Sequence, residues 1–96
     1  MAVAEKYLGI ERYMFSDTYN LFLKYRDIKE YDENAWQMLA DDANKLYDKY
    51  KNHPMARNLI SATLENLEFK QCKRVIAGKT YKDYEIELKD VNSIGF

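Results

Sequence analysis

Breakers are scarce in this chain: three glycines and one proline serve 96 residues. So little punctuation argues for long helices and few turns. A lone cysteine, Cys72, excludes an internal disulfide and suits a reducing compartment. One Cys and one His, His53, cannot assemble a usual zinc site. No apolar run approaches the roughly 20 residues that a membrane span needs. The start, MAVAEKYLGIERY, carries acids early and lacks an apolar h-region, so no signal peptide is expected. Excess charge of either sign is missing too. With 15 basic and 16 acidic residues the net charge is -1, and no global field draws in nucleic acid or an anionic membrane. The expectation is a cytoplasmic chain with no membrane contact and no direct nucleic-acid partner.

What is present suits a folded domain. The 47% hydrophobic and 32% charged fractions are those of a globular protein, and a chain of this length builds a core without disulfides or metal. We expect a single domain over residues 1–96, mainly α: a small three-helix antiparallel domain with a short strand-like or irregular C-terminal extension.

The clearest helix spans about 32–51. Trp36, Leu39, Ala40, Ala43, Leu46, Tyr47 and Tyr50 recur on one helical face, and Asp32 reads as its N-cap with Glu33 in the first turn. Trp36, Leu39, Ala43 and Leu46 are the expected core. Asn52-His53-Pro54 then breaks the chain, and Pro54 suits the first position of a new helix. That helix is expected from 54 to 77 with a stop at Gly78. Ala56, Leu59, Ile60, Thr63, Leu67 and Cys72 mark its buried side. An earlier helix over about 11–28 carries Phe15, Tyr19, Phe22, Leu23 and Ile28 on or near one side. Its short connection to the next makes the two antiparallel neighbours.

The tail reads differently. Tyr84-Glu85-Ile86-Glu87-Leu88 alternates apolar and polar, which is strand period. A lone strand cannot satisfy its backbone, so it needs a partner: the N-terminal AEKYLGI, a second subunit or another protein. A short helix through Tyr81, Tyr84 and Leu88 is the competing reading.

Tyr7, Tyr13, Tyr19, Tyr25 and Tyr31 stand six residues apart. Six residues advance an α-helix by about 600°, so successive tyrosines land on different faces and form no stripe. Nine tyrosines in the chain is a high number. Tyr buries area while keeping a polar tip, which suits half-buried rim positions or a binding surface.

Chemistry is sparse. His53 falls in a helix-capping turn without a nucleophile or orienting partner nearby. Cys72 reads as a buried structural thiol. Asp41 stands four residues before Lys45, and with Asp42 it reads as solvated helix surface rather than a hard-metal site. No Gly-rich phosphate loop, HExxH, GxSxG or CxxC occurs. No catalytic residue, metal ligand or cofactor is assigned, and a non-enzyme is expected.

Charge is uneven, however. In residues 55–79 five cations face two acids, leaving +3, while residues 80–96 carry -2. Lys70, Lys73 and Arg74, with Tyr81 close by, form a basic end able to hold a phosphate or nucleotide, or simply to complement the helix dipole and the acidic tail. The expected partner-binding residues are Lys70, Lys73, Arg74, Tyr81, Tyr84, Ile86, Leu88 and Phe96.

Phe15-Ser16-Asp17, Tyr19-Asn20-Leu21 and Lys24-Tyr25, then Trp36, Asp42-Ala43-Asn44, Leu46-Tyr47, Lys49-Tyr50-Lys51 and Pro54, form a loose pattern. It resembles short helical accessory proteins of phages and mobile elements of Gram-positive bacteria. The likeness covers about residues 11–69, and the tail from 79 to 96 departs from it. The resemblance implies a phage accessory protein, of a kind that commonly binds and blocks a host component, CRISPR effectors included. The leading expectation is a non-enzymatic interaction module acting on a host protein, with a homodimer as a possible assembly. The alternatives are a nucleotide-sequestering oligomer and a structural or regulatory phage protein.

Overall fold

The computed structural model describes the backbone of residues 9–93 and side chains as far as Lys89. Four helices follow one another: α1 (Glu11–Tyr25), α2 (Glu33–Lys49), α3 (Pro54–Gln71) and α4 (Tyr81–Ser93). Among the described residues there is no strand. α1 packs most broadly on α3 and more narrowly on α2, while α4 meets only α3. The mainly α architecture is as expected, a three-helix body with a further short helix at its side.

Local chemistry sets the helix ends. The Asp32 carboxylate accepts the Ala35 amide at 3.1 Å and starts α2. α2 ends where Lys51 and Asn52 turn left-handed, at φ 50° and 57°, and the Asn52 amide returns to the Tyr47 carbonyl at 2.9 Å. His53 caps α3: its Nδ1 accepts the Met55 amide at 3.1 Å, and Pro54 opens the first turn.

Met14, Leu21, Tyr25 and Ile28, Leu39 and Ala43, and Ala56, Ile60 and Leu67 form the core. Thr18 is buried among them and donates to the Met14 carbonyl at 2.6 Å. The α1 stripe is therefore Met14-Thr18-Leu21-Tyr25, with Ile28 just past the helix end. The expected face needs correction: Phe15, Tyr19 and Leu23 are exposed, and Phe22 packs only at the core's edge. The alternating steps of four and three that keep a stripe under one neighbour run through Met14 and Thr18, not through the aromatic residues beside them. On α2, Leu39 and Ala43 are buried as expected, Ala40 is exposed, and Leu46 and Trp36 are half-buried. Trp36 instead staples the α1–α2 connection, its Nε1 donating to the carbonyls of Lys29 at 3.0 Å and Glu30 at 3.2 Å.

α1 and α2 are held by two equivalent latches. Lys49 Nζ donates to Asp17 Oδ2 at 2.6 Å and Lys24 Nζ to Asp42 Oδ2 at 2.8 Å. The hydroxyls of Tyr50 and Tyr25 donate to the same two oxygens. The sequence explains the equivalence: Asp17, Leu21, Lys24 and Tyr25 recur unchanged 25 positions later as Asp42, Leu46, Lys49 and Tyr50. Met14 and Thr18 find buried counterparts in Leu39 and Ala43. Each helix supplies an acid near its middle and a Lys-Tyr pair at its C-terminal end, so an antiparallel pairing satisfies both sets at once.

Two expectations fail beyond α2. α3 stops at Gln71, not Ala77, with the Cys72 amide returning to the Glu68 carbonyl at 2.8 Å; Cys72 is half-buried at this end rather than in the core. Gly78 is a turn residue. Ile76 and Lys79 exchange backbone hydrogen bonds at 2.9 and 3.1 Å across Ala77 and Gly78, both left-handed at φ 53° and 76°. The extension itself is helical, not strand-like. Thr80 and Asp83 cap it reciprocally: the Thr80 amide donates to Asp83 Oδ2 at 2.9 Å and the Asp83 amide to Thr80 Oγ1 at 3.3 Å. With that cap in place, Tyr81, Tyr84 and Leu88 line one helical side and the alternation through Ile86 is incidental; most of the AEKYLGI segment suggested as a strand partner lies outside the described residues.

Candidate functional site

α3 turns its large side chains in two directions. Ala56, Ile60 and Leu67 enter the three-helix core, whereas Phe69 lies off that stripe and receives α4. Its ring meets Tyr81 and Tyr84 edge-on, each with centroids 5.9 Å apart. Cations lie over both tyrosine rings, Lys70 at 5.5 Å from Tyr81 and Lys79 at 5.2 Å from Tyr84. Lys79 is tied to Glu87 at 2.8 Å and Arg74 to Glu68 at 2.9 Å. The Glu87 carboxylate, with burial acting against it, raises the Lys79 ammonium above its ordinary range. Aromatic contacts with Phe69 hold α4 on α3, and the Lys79–Glu87 pair ties it to the turn before it.

Two cavities flank this junction. The larger, about 610 Å³, is an open groove lined by Asn66, Phe69, Ile76, Tyr81, Tyr84, Glu85, Leu88 and Lys89. The smaller, about 340 Å³, lies between the end of α3 and the start of α4, against Phe69, Lys70, Lys73, Thr80, Tyr81 and Lys82. Phe69 and Tyr81 form the wall between the two.

The residues singled out in the sequence therefore divide. Lys70, Lys73 and Tyr81 converge on the smaller cavity, and Tyr84 and Leu88 line the groove together with Tyr81. Arg74 is drawn away by Glu68. Ile86 is 62% exposed and stands about 200° around the helix from Tyr84, away from the groove. Phe96 lies outside the described residues. Phe69, the centre of the site, was not picked out. Its signal was a large aromatic two positions off the stripe marked by Leu67, which is the mark of a second packing face.

Elsewhere the side chains are engaged structurally. The His53 Nδ1 lone pair is committed to its cap. Among the described residues, no group of three His, Cys, Asp or Glu side chains is placed to hold a metal ion, and no helix is long and apolar enough to cross a membrane. Asp42 is not free helix surface but one of the latch acceptors. Tyr13, Tyr19 and Tyr31 are exposed, while Tyr25 is buried, so the six-residue spacing presents no common face. Comparison with protein-family models, curated proteins and solved structures finds no match.

Proposed function

We propose that this chain is a non-enzymatic protein-interaction module whose α3–α4 groove receives an amphipathic helix of a partner protein. The observation that carries the reading is the open groove of about 610 Å³, walled by Phe69, Ile76, Tyr84 and Leu88. Ile76 and Leu88 are half-exposed there, and Val75, one residue from Ile76, is 64% exposed. Exposed apolar side chains clustered beside a concavity are what a recognition surface needs. Glu85 and Lys89 on the groove's lining set the partner's chemistry: an apolar ridge with a base to meet Glu85 and an acid to meet Lys89.

The resemblance to phage accessory proteins makes the partner a host protein, with inhibition of a defence protein such as a CRISPR effector as the role and the host cytoplasm as the place. Homodimerisation through the same groove is the competing occupant. Leu88→Glu and Ile76→Glu both alter half-exposed side chains and should leave the fold intact. The test is protection of an incoming plasmid or phage from CRISPR interference, together with co-purification of the effector. The wild type should protect and retain the effector, and both variants should lose both properties. Full protection by both variants would sink the groove as the contact surface, and a concentration-dependent dimer abolished by Leu88→Glu would assign it to a second copy.

A further inference from the structure

The smaller cavity has a different chemistry from the groove. Phe69 and Tyr81 line it together with Lys70, Lys73, Thr80 and Lys82. No carboxylate is among the lining residues. The neighbouring cations Arg74 and Lys79 are neutralised by Glu68 and Glu87. Lys70, Lys73 and Lys82 take part in no ion pair among the described residues. Three like charges around one concavity repel each other, and an anion bound between them relieves that repulsion.

From this we infer that the cavity is a binding site for a nucleoside monophosphate, the base against Phe69 and Tyr81 and the phosphate between Lys73 and Lys82. The apolar walls are more than an inorganic anion uses, and they suit an aromatic ring, with Lys70 above Tyr81 adding a cation–π contribution. The volume, about 340 Å³, lies at the lower end of the roughly 300–1,000 Å³ of small-molecule sites, which fits one nucleotide and not two. A long nucleic acid is the poorer occupant. It needs an extended basic track, whereas α4 continues away from the site with Asp83, Glu85 and Glu87.

The experiment is calorimetric titration of the full chain with the four ribonucleoside monophosphates, with adenosine, with inorganic phosphate and with a short RNA. At least one monophosphate should bind, about tenfold or more tighter than adenosine or phosphate alone, and more weakly as salt rises. Lys73→Glu with Lys82→Glu changes two exposed side chains, so the fold should persist by circular dichroism while affinity drops about tenfold or more. Leu88→Glu, which alters only the groove, should bind the nucleotide as the wild type does, so failure of the groove reading leaves this one standing. Four outcomes would overturn the site: no binding of any monophosphate at millimolar concentration, phosphate binding as tightly as the nucleotides, unchanged affinity in the double variant, or tighter binding of the RNA.

Discussion

Asp17 and Asp42 connect local charge to the stability of the whole hairpin. Partial burial pushes the Asp17 carboxyl up, but the Lys49 ammonium and the Tyr50 hydroxyl outweigh it and hold the group below its ordinary value. At Asp42 the Lys24 ammonium and Tyr25 hydroxyl lower the carboxyl against a smaller burial effect. Burial, then the adjacent carboxylate, raises the Tyr25 and Tyr50 hydroxyls, so both remain protonated donors at neutral pH. A carboxyl whose folded pKa is depressed adds stability above its unfolded value, about 3.9, and that stability is lost as pH falls through the lower folded value. The melting temperature should hold from neutral pH to about pH 5 and drop below about pH 4. Asp17→Asn with Asp42→Asn should cost about 1 kcal/mol per site at pH 7, since the pairs are largely solvent-screened. The double variant should also flatten the acid limb, and a limb superimposable on the wild type's would remove the latches from the account. Trp36 makes a separate case. Because it is half-buried and bonded to two carbonyls, Trp36→Ala should cost about 2–3 kcal/mol, less than a fully buried indole, whereas Leu39→Ala should cost about 2–5 kcal/mol. Urea denaturation of the two variants ranks them directly.

Among the elements, α4 is the one most dependent on local chemistry. It meets only α3 and starts from the Thr80–Asp83 capping box, whose bonds to Thr80 hold the Asp83 carboxyl low. Thr80→Ala removes the hydroxyl acceptor and should weaken α4 by about 1 kcal/mol. The loss should appear as faster amide exchange over residues 83–89 while exchange in α1 to α3 is unchanged. Uniformly faster exchange would mean that α4 folds as one unit with the body. α1, by contrast, has no side-chain cap at Ile10 and relies on burial of Met14 through Tyr25 and on the latches.

For the molecule as a whole, the three-helix body carries its own core, and among the described residues none of the fully buried large side chains belongs to α4. Ending the chain after Lys79 should leave a cooperative transition, at a lower temperature because Phe69 loses its covering from Tyr81 and Tyr84. The same truncation should abolish the partner binding proposed for the groove. Unfolding of the truncated chain at room temperature would place α4 within the core fold.

Helix identity was legible in the chain because its determinants are local: breakers at Asn52-His53-Pro54, the Asp32 cap, and the α2 stripe through Leu39 and Ala43. Parts of the site were legible in the same way, as Lys70 and Lys73 with Tyr81 and the Tyr84-Leu88 pair. The internal repeat was present too, but four identities among residues 14–25 stand out only when the latches give them a common role. Tertiary structure decided what depends on neighbours. α1 carries two possible apolar sides, and contact with α3 selected Met14 and Thr18 over Phe15 and Tyr19. Tyr84 through Leu88 fits strand and helix periods alike; the Thr80 cap and the Phe69 ring resolved that choice, since a short segment takes the form its surroundings can satisfy. The cavities belong wholly to this second class, because a concave space exists only once α4 has settled on α3.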